Sequence, residues 1–265
     1  MSGWVEANGV SLRYAVRGCG DRTVVLLHEM GGLLESWGPV VERLRSSVVT
    51  IAYDARGAGL SEKPTGRVTI DDLADDLGGL LDALNVHQPV TLVGCAVGAA
   101  VAVHFAARAP ERVCGLIALS PAIVVAPEQR AALLSLADVI ETGGVRPRLM
   151  ERFAVSYPER LFEGRSDRPD VRGRLLHNDP RAYAETYRML CRMEIAAELP
   201  TLQVPTLVLA GAFDRTRPPE LVREVADAIP GARFEVVDSG HVMHILTPDL
   251  VAEHVMSFLA EIKGT

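Results

Sequence analysis

Three short segments carry residue types able to perform acyl chemistry together. Gly94-Cys95-Ala96-Val97-Gly98 has the glycine spacing of a nucleophile elbow, where a strand turns sharply into a helix and the central residue takes a strained backbone. Gly211-Ala212-Phe213-Asp214-Arg215-Thr216-Arg217-Pro218 places a carboxylate, Asp214, just past an apolar run, and Asp238-Ser239-Gly240-His241 places an imidazole past the next. A histidine oriented by a carboxylate is a general base near neutral pH, and the order elbow, acid, histidine is one such catalysts use. The centre of this elbow is Ala96, which has no hydroxyl to attack with. Cys95, one position earlier, points elsewhere on the turn and does not replace it. The expected catalytic residues are therefore Asp214 and His241, acting on water or on a substrate proton.

Such residues meet only if alternating strands and helices bring them to one edge of a sheet. Asn8-Gly9 between apolar-polar alternations predicts a hairpin turn. Six compact apolar runs then follow, at 23–27, 48–53, 90–93, 116–119, 206–210 and 234–237. Near-continuous apolar strands of this length suit a parallel sheet covered by helices on both faces. Thr69 with Asp72 forms a capping-box pattern ahead of the stripe Leu73, Leu77, Leu80, Leu81 and Leu84. A small-residue helix is expected from Val97 to Ala109, and prolines open two more at Pro218-Pro219 and Pro248. The fold class is α/β, with a mostly parallel, doubly wound sheet. Residues 1–122 and 201–265 form its core, and 123–200, arginine-rich and without a convincing strand, read as a helical cap over the edge where such sheets bind ligands.

In this order the motifs resemble the α/β-hydrolase superfamily, and within it the capped group of 3-oxoadipate enol-lactonases and aminoacrylate hydrolases. The resemblance extends over essentially the whole chain. His28-Glu29-Met30-Gly31-Gly32 resembles the HGxGG oxyanion loop, Asp54 to Ser61 matches a DxRGxGxS loop, and Asn178-Asp179-Pro180-Arg181-Ala182-Tyr183 is similar to a cap segment of the lactonase-like members. The resemblance implies that the backbone N–H groups of Met30 and Val97 form an oxyanion hole, and that His28 orients the loop carrying Met30. Two positions depart from the pattern: Ala96 stands where a serine is expected, and Glu29 where a glycine is expected. Glu29 and Trp37 are the candidate substrate-binding residues: Glu29 to orient the water, bind a substrate cation or repel carboxylate substrates, or else as a loop carboxylate turned to solvent, and Trp37 to line the pocket or to pack beneath the cap.

Ala96 leaves two readings. In one, the alanine belongs to an enzyme that hydrolyses a small activated carbonyl compound (enol-lactone, enamine or diketone type) without a covalent serine. In the other, a serine hydrolase, an esterase or lactonase, carries a Ser→Ala replacement at 96. Glu29 favours the first, because one replacement does not explain two departures. A cofactor-free oxygenase or lyase, in which the His–Asp pair only removes a proton, and a non-catalytic ligand-binding protein are the alternatives from other classes.

A net charge of -7 speaks against nucleic acid as a partner. The four cysteines show no ligand or disulfide spacing, and the N-terminal residues lack a signal-peptide pattern. The apolar run from Val90 to Val103 is too short to span a membrane. The expectation is a cytoplasmic protein with a small-molecule substrate, no cofactor, no metal and no membrane partner, for which a homodimer stays open. His241 and His244 lack a third ligand, Asp71-Asp72 and Asp75-Asp76 read as a solvated helix face, and Arg188 and Arg192 as surface ion pairs or contacts to an anionic substrate.

Overall fold

Asn8 and Gly9 both take positive φ, 48° and 74°, so the chain reverses in two residues and pairs β1 (Ser2–Ala7) antiparallel with β2 (Val10–Gly18). The computed structural model describes residues 1–146 and 153–262. Residues 147–152 of the expected cap and 263–265 of the expected core lie outside them. The remaining strands are β3 (Thr23–Leu27), β4 (Val49–Tyr53), β5 (Val90–Cys95), β6 (Val113–Leu119), β7 (Thr206–Gly211) and β8 (Arg233–Val237). They form one eight-stranded sheet in the order β1-β2-β4-β3-β5-β6-β7-β8. β2 pairs with β4 antiparallel, and every pair from β4·β3 through β7·β8 is parallel. The internal strands β5 and β7 are buried along their whole length, which explains their unbroken apolar character.

The crossover helices cover both faces. They are α1 (Gly38–Leu44), α2 (Ile70–Ala83), α3 (Val97–Arg108), α7 (Pro219–Asp227) and α9 (Pro248–Glu261), with the short α8 (Met243–Leu246) before the last. α2 starts on the expected capping box: the Thr69 hydroxyl accepts from the Asp72 backbone N–H at 3.1 Å, and the Thr69 N–H donates to the Asp72 carboxylate at 2.8 Å. One expectation for this helix fails. Asp76 is not solvated but buried, because Arg56 from the loop after β4 donates to it from Nε at 2.6 Å and Asn8 donates at 3.1 Å. Asp71 and Asp75 keep the solvated side and pair with Arg108.

Between β6 and β7 the described residues form only helices and turns, chiefly α4 (Pro127–Gly143), α5 (Arg168–Leu176) and α6 (Pro180–Arg192). Asp179 caps α6 by accepting from the Ala182 N–H at 2.9 Å. α4 and α6 pack through a small apolar cluster of Ala137, Ile140, Ala184 and Tyr187. Asn178 ties this layer to the core, donating to the Gly31 carbonyl at 2.9 Å. Arg188 and Arg192 are spent on Asp138, Glu141 and Glu185.

Candidate active site

The elbow begins with crowding. A Cβ on Gly94 would run into the backbone of Gly98 and Ala99, and one on Gly98 into the carbonyl oxygens of Leu27 and His28. The two glycines let α3 start directly on the end of β5 and press against β3. Between them Ala96 is driven to φ 50°, ψ −108°, a conformation an L-residue holds only under restraint. Backbone bonds supply it: the Ala96 N–H donates to Leu119 at 2.9 Å, and its carbonyl accepts from Ala100 and Ala122 at 3.1 Å.

Asp214 lies past β7 and His241 past β8, the neighbouring strand, so parallel pairing delivers acid and base side by side. The His241 Nδ1–H donates to Asp214 Oδ2 at 2.8 Å, while the backbone N–H groups of Thr216 and Arg217 both donate to Oδ1 at 2.8 Å. Burial alone would raise the Asp214 carboxyl. The hydrogen bond and charge of His241, with the Arg217 N–H, outweigh it and hold the group below its ordinary range. An ionised Asp214 fixes the tautomer with the proton on Nδ1, leaving Nε2 as the basic nitrogen. Nε2 has no hydrogen-bond partner among the described residues.

Ala96, Val97, Met30, Glu29 and His241 line one cavity of about 650 Å³. Neither the Met30 nor the Val97 amide is taken up by a hydrogen bond among the described residues, as expected for a turn and for the first residue of a helix. His28 holds the Met30 loop in place: its Nδ1–H donates to the Glu29 carbonyl at 2.7 Å and its Nε2 accepts from the Ala55 N–H at 3.0 Å. Cys95 is buried, its thiol 3.5 Å from the His241 carbonyl. Burial and the charges of Glu29 and Asp214 push that thiol well above its ordinary range, so it is not an alternative nucleophile.

Glu29 is buried, and its Oε2 accepts from His244 Nε2 at 2.9 Å. Burial would raise this carboxyl, but the charge and hydrogen bond of His244, with His28, bring it below its ordinary value of 4.5. Trp37 does not line the cavity. It is fully buried, stacked on the far partner of Glu29 with its ring 4.2 Å from that of His244. No local pattern marks the Glu29–His244 pair, whose members are 215 residues apart. His241 and His244 serve different carboxylates, and among the described residues no three His, Cys, Asp or Glu side chains are grouped to hold a metal. The apolar wall of the cavity comes from Phe153 and Tyr157, and from Tyr183 and Tyr187 on α6. A larger cavity of about 930 Å³ shares Glu29, Met30, Val97 and Tyr183 but contains neither Ala96 nor His241, so of the two it is the smaller that holds both.

Known proteins share this framework. The chain is 26% identical over 249 residues to 3-oxoadipate enol-lactonase 2 of Acinetobacter baylyi, covering 92% of this chain and 91% of that protein. A thermophilic esterase from Thermogutta terrifontis superposes with a TM-score of 0.92 at 27% identity, covering 99% of each chain. The enol-lactonase from Burkholderia xenovorans does so with a TM-score of 0.90 at 28% identity, over 97% of this chain and 100% of the other. The family described as serine aminopeptidase, S33, matches residues 19–250, and with its sheet, elbow and relatives this chain belongs to that family of α/β-hydrolases and is a hydrolase.

Proposed function

We propose that this chain hydrolyses a small, already activated carbonyl compound, of enol-lactone, enamine or diketone type, with His241 and Asp214 activating water directly. The observation that carries this reading is the Asp214–His241 hydrogen bond of 2.8 Å beside an elbow whose central side chain is a methyl group, both on one cavity. His241 Nε2 takes a proton from water as the water oxygen attacks the carbonyl carbon. The Met30 and Val97 N–H groups hold the oxyanion that develops. As the tetrahedral species collapses, the imidazolium returns that proton to the departing atom, and an acid and a protonated leaving group result. Glu29 binds substrate, residues 123–200 act as the cap, and the setting is the cytoplasm, with a small molecule and neither nucleic acid nor membrane as partner.

The restriction to reactive substrates follows from magnitude. A triad hydrolase without its nucleophile loses on the order of 10⁶-fold in turnover, and roughly 10³-fold over water survives through the oxyanion hole and binding. An ordinary ester is out of reach of that remainder, whereas an enol-lactone is not. A second reading is favoured by the elbow itself: φ 50° at Ala96 is a strained conformation suited to presenting a hydroxyl, as a serine hydrolase with alanine at 96 would retain. Turnover of an enol-lactone by Ala96→Ser and His241→Ala separates the two. Direct water activation requires His241→Ala to abolish turnover and Ala96→Ser to leave it within about threefold. A gain of about a thousandfold in ordinary ester hydrolysis by Ala96→Ser would transfer the assignment to the serine hydrolase.

A further inference from the structure

Glu29 has one oxygen engaged and one not. Oε2 accepts a hydrogen bond from His244 Nε2 at 2.9 Å, while Oε1 is buried without a partner at full hydrogen-bond geometry among the described residues. A buried carboxylate oxygen left unpaired is costly, and the cost is recovered when a donor arrives with a ligand. Tyr157, buried on the same cavity, is the neighbouring donor: burial, the charge of Glu29 and hydrogen bonding to it push its phenol well above its ordinary range, while Oε1 still has no partner at full hydrogen-bond geometry among the described residues.

The surroundings choose between kinds of donor. Phe153 and Tyr157 stack at 4.8 Å between ring centroids, and Tyr183 and Tyr187 meet edge to face at 5.7 Å. All four residues line the cavity that Glu29 lines. A carboxylate together with aromatic faces is a combination that attracts a cation and repels an anion. Oε2 of Glu29 is paired with His244, and of the other charged side chains lining this cavity among the described residues Glu128 and Arg215 are exposed and Arg217, a cation, donates to the Val124 carbonyl at 2.8 Å.

We infer that the unpaired oxygen of Glu29 and the aromatic wall seat a cationic nitrogen of the substrate, so that the carbonyl compound accepted here carries an ammonium group and not a carboxylate. This rests on taking the cavity at Ala96 and His241 as the substrate site, but not on how hydrolysis proceeds. The test is therefore one of binding. Phenylpropylammonium, phenylpropanol and phenylpropanoate, matched in shape and differing in charge, are titrated calorimetrically into the wild type and into His241→Ala. The expected order in both proteins is cation, then alcohol, then acid, with the cation at least about tenfold tighter than the acid. Glu29→Gln, checked for folding by its melting temperature, should bring cation and acid to within about twofold, and Phe153→Leu should weaken the cation more than the alcohol. Equal binding of the three, tighter binding of the acid, no detectable binding, or an unchanged preference in Glu29→Gln would each overturn the assignment. Loss of turnover with the binding order intact would instead bear on the hydrolysis reading alone.

Discussion

Asp214 receives donors from His241, Thr216 and Arg217, so both of its oxygens are committed and its charge faces the imidazole. Replacement by asparagine would preserve the shape but present an amide N–H to Nδ1, which selects the tautomer with the proton on the wrong nitrogen. Asp214→Asn is therefore expected to lower kcat by about 10⁴-fold, with KM little changed, in steady-state kinetics on an enol-lactone. Glu29 invites a different expectation. Its partner His244 is fully buried, and removing one member of a buried pair leaves the other uncompensated. Glu29→Ala should cost about 3–5 kcal/mol in urea-induced unfolding, a far larger effect than truncating an exposed carboxylate such as Glu128. Asp214 and His241 were readable from chain order. His244 was not, because nothing local links a histidine near the C-terminal end to a glutamate near the start.

At the scale of elements, each residue of the candidate site owes its position to a strand end. β3 delivers the Met30 loop, β5 the elbow, β7 Asp214 and β8 His241, and the parallel pairings put all four ends on one edge. The tightest join is where Gly98 on α3 meets the carbonyls of Leu27 and His28. Gly98→Ala should push α3 away from β3, lowering stability by about 1–3 kcal/mol in thermal unfolding and separating the Met30 and Val97 amides, so that kcat falls more than stability explains. Strand positions and the capping box of α2 were legible because burial and capping are local demands on residue type. The burial of Asp76 was not, since its partners Arg56 and Asn8 come from elsewhere in the sheet.

For the molecule as a whole, the buried carboxylates tie stability to pH. Glu29 and Asp214 have carboxyls lowered from ordinary values of 4.5 and 3.8. A group with a depressed folded-state pKa contributes stability that is present above its unfolded value and lost as pH falls through its folded value. Asp76 runs the other way: burial raises it against the pull of Arg56, so its contribution is present at low pH and declines as pH rises through the range just above 3.8. Two lowered groups against one raised group predict a net loss on acidification. The melting temperature should hold from neutral pH down to about 5 and drop below about 4, and Glu29→Gln should flatten the acid limb. A melting temperature that rises below pH 4 would contradict this reading of the charges. Among the described residues no helix is long and apolar enough to cross a membrane.

The sequence by itself determined the α/β class, the order elbow, acid and base, and the absence of a hydroxyl at Ala96, because strand burial, helix capping and glycine spacing act over a few residues. Only the tertiary structure decided that Glu29 lies against His244, that Trp37 stacks behind that pair and outside the cavity, and that one oxygen of Glu29 has no partner at full hydrogen-bond geometry among the described residues. Those facts depend on which strand ends the sheet brings together and what packs between them. Packing over long sequence separations leaves no local periodicity to read.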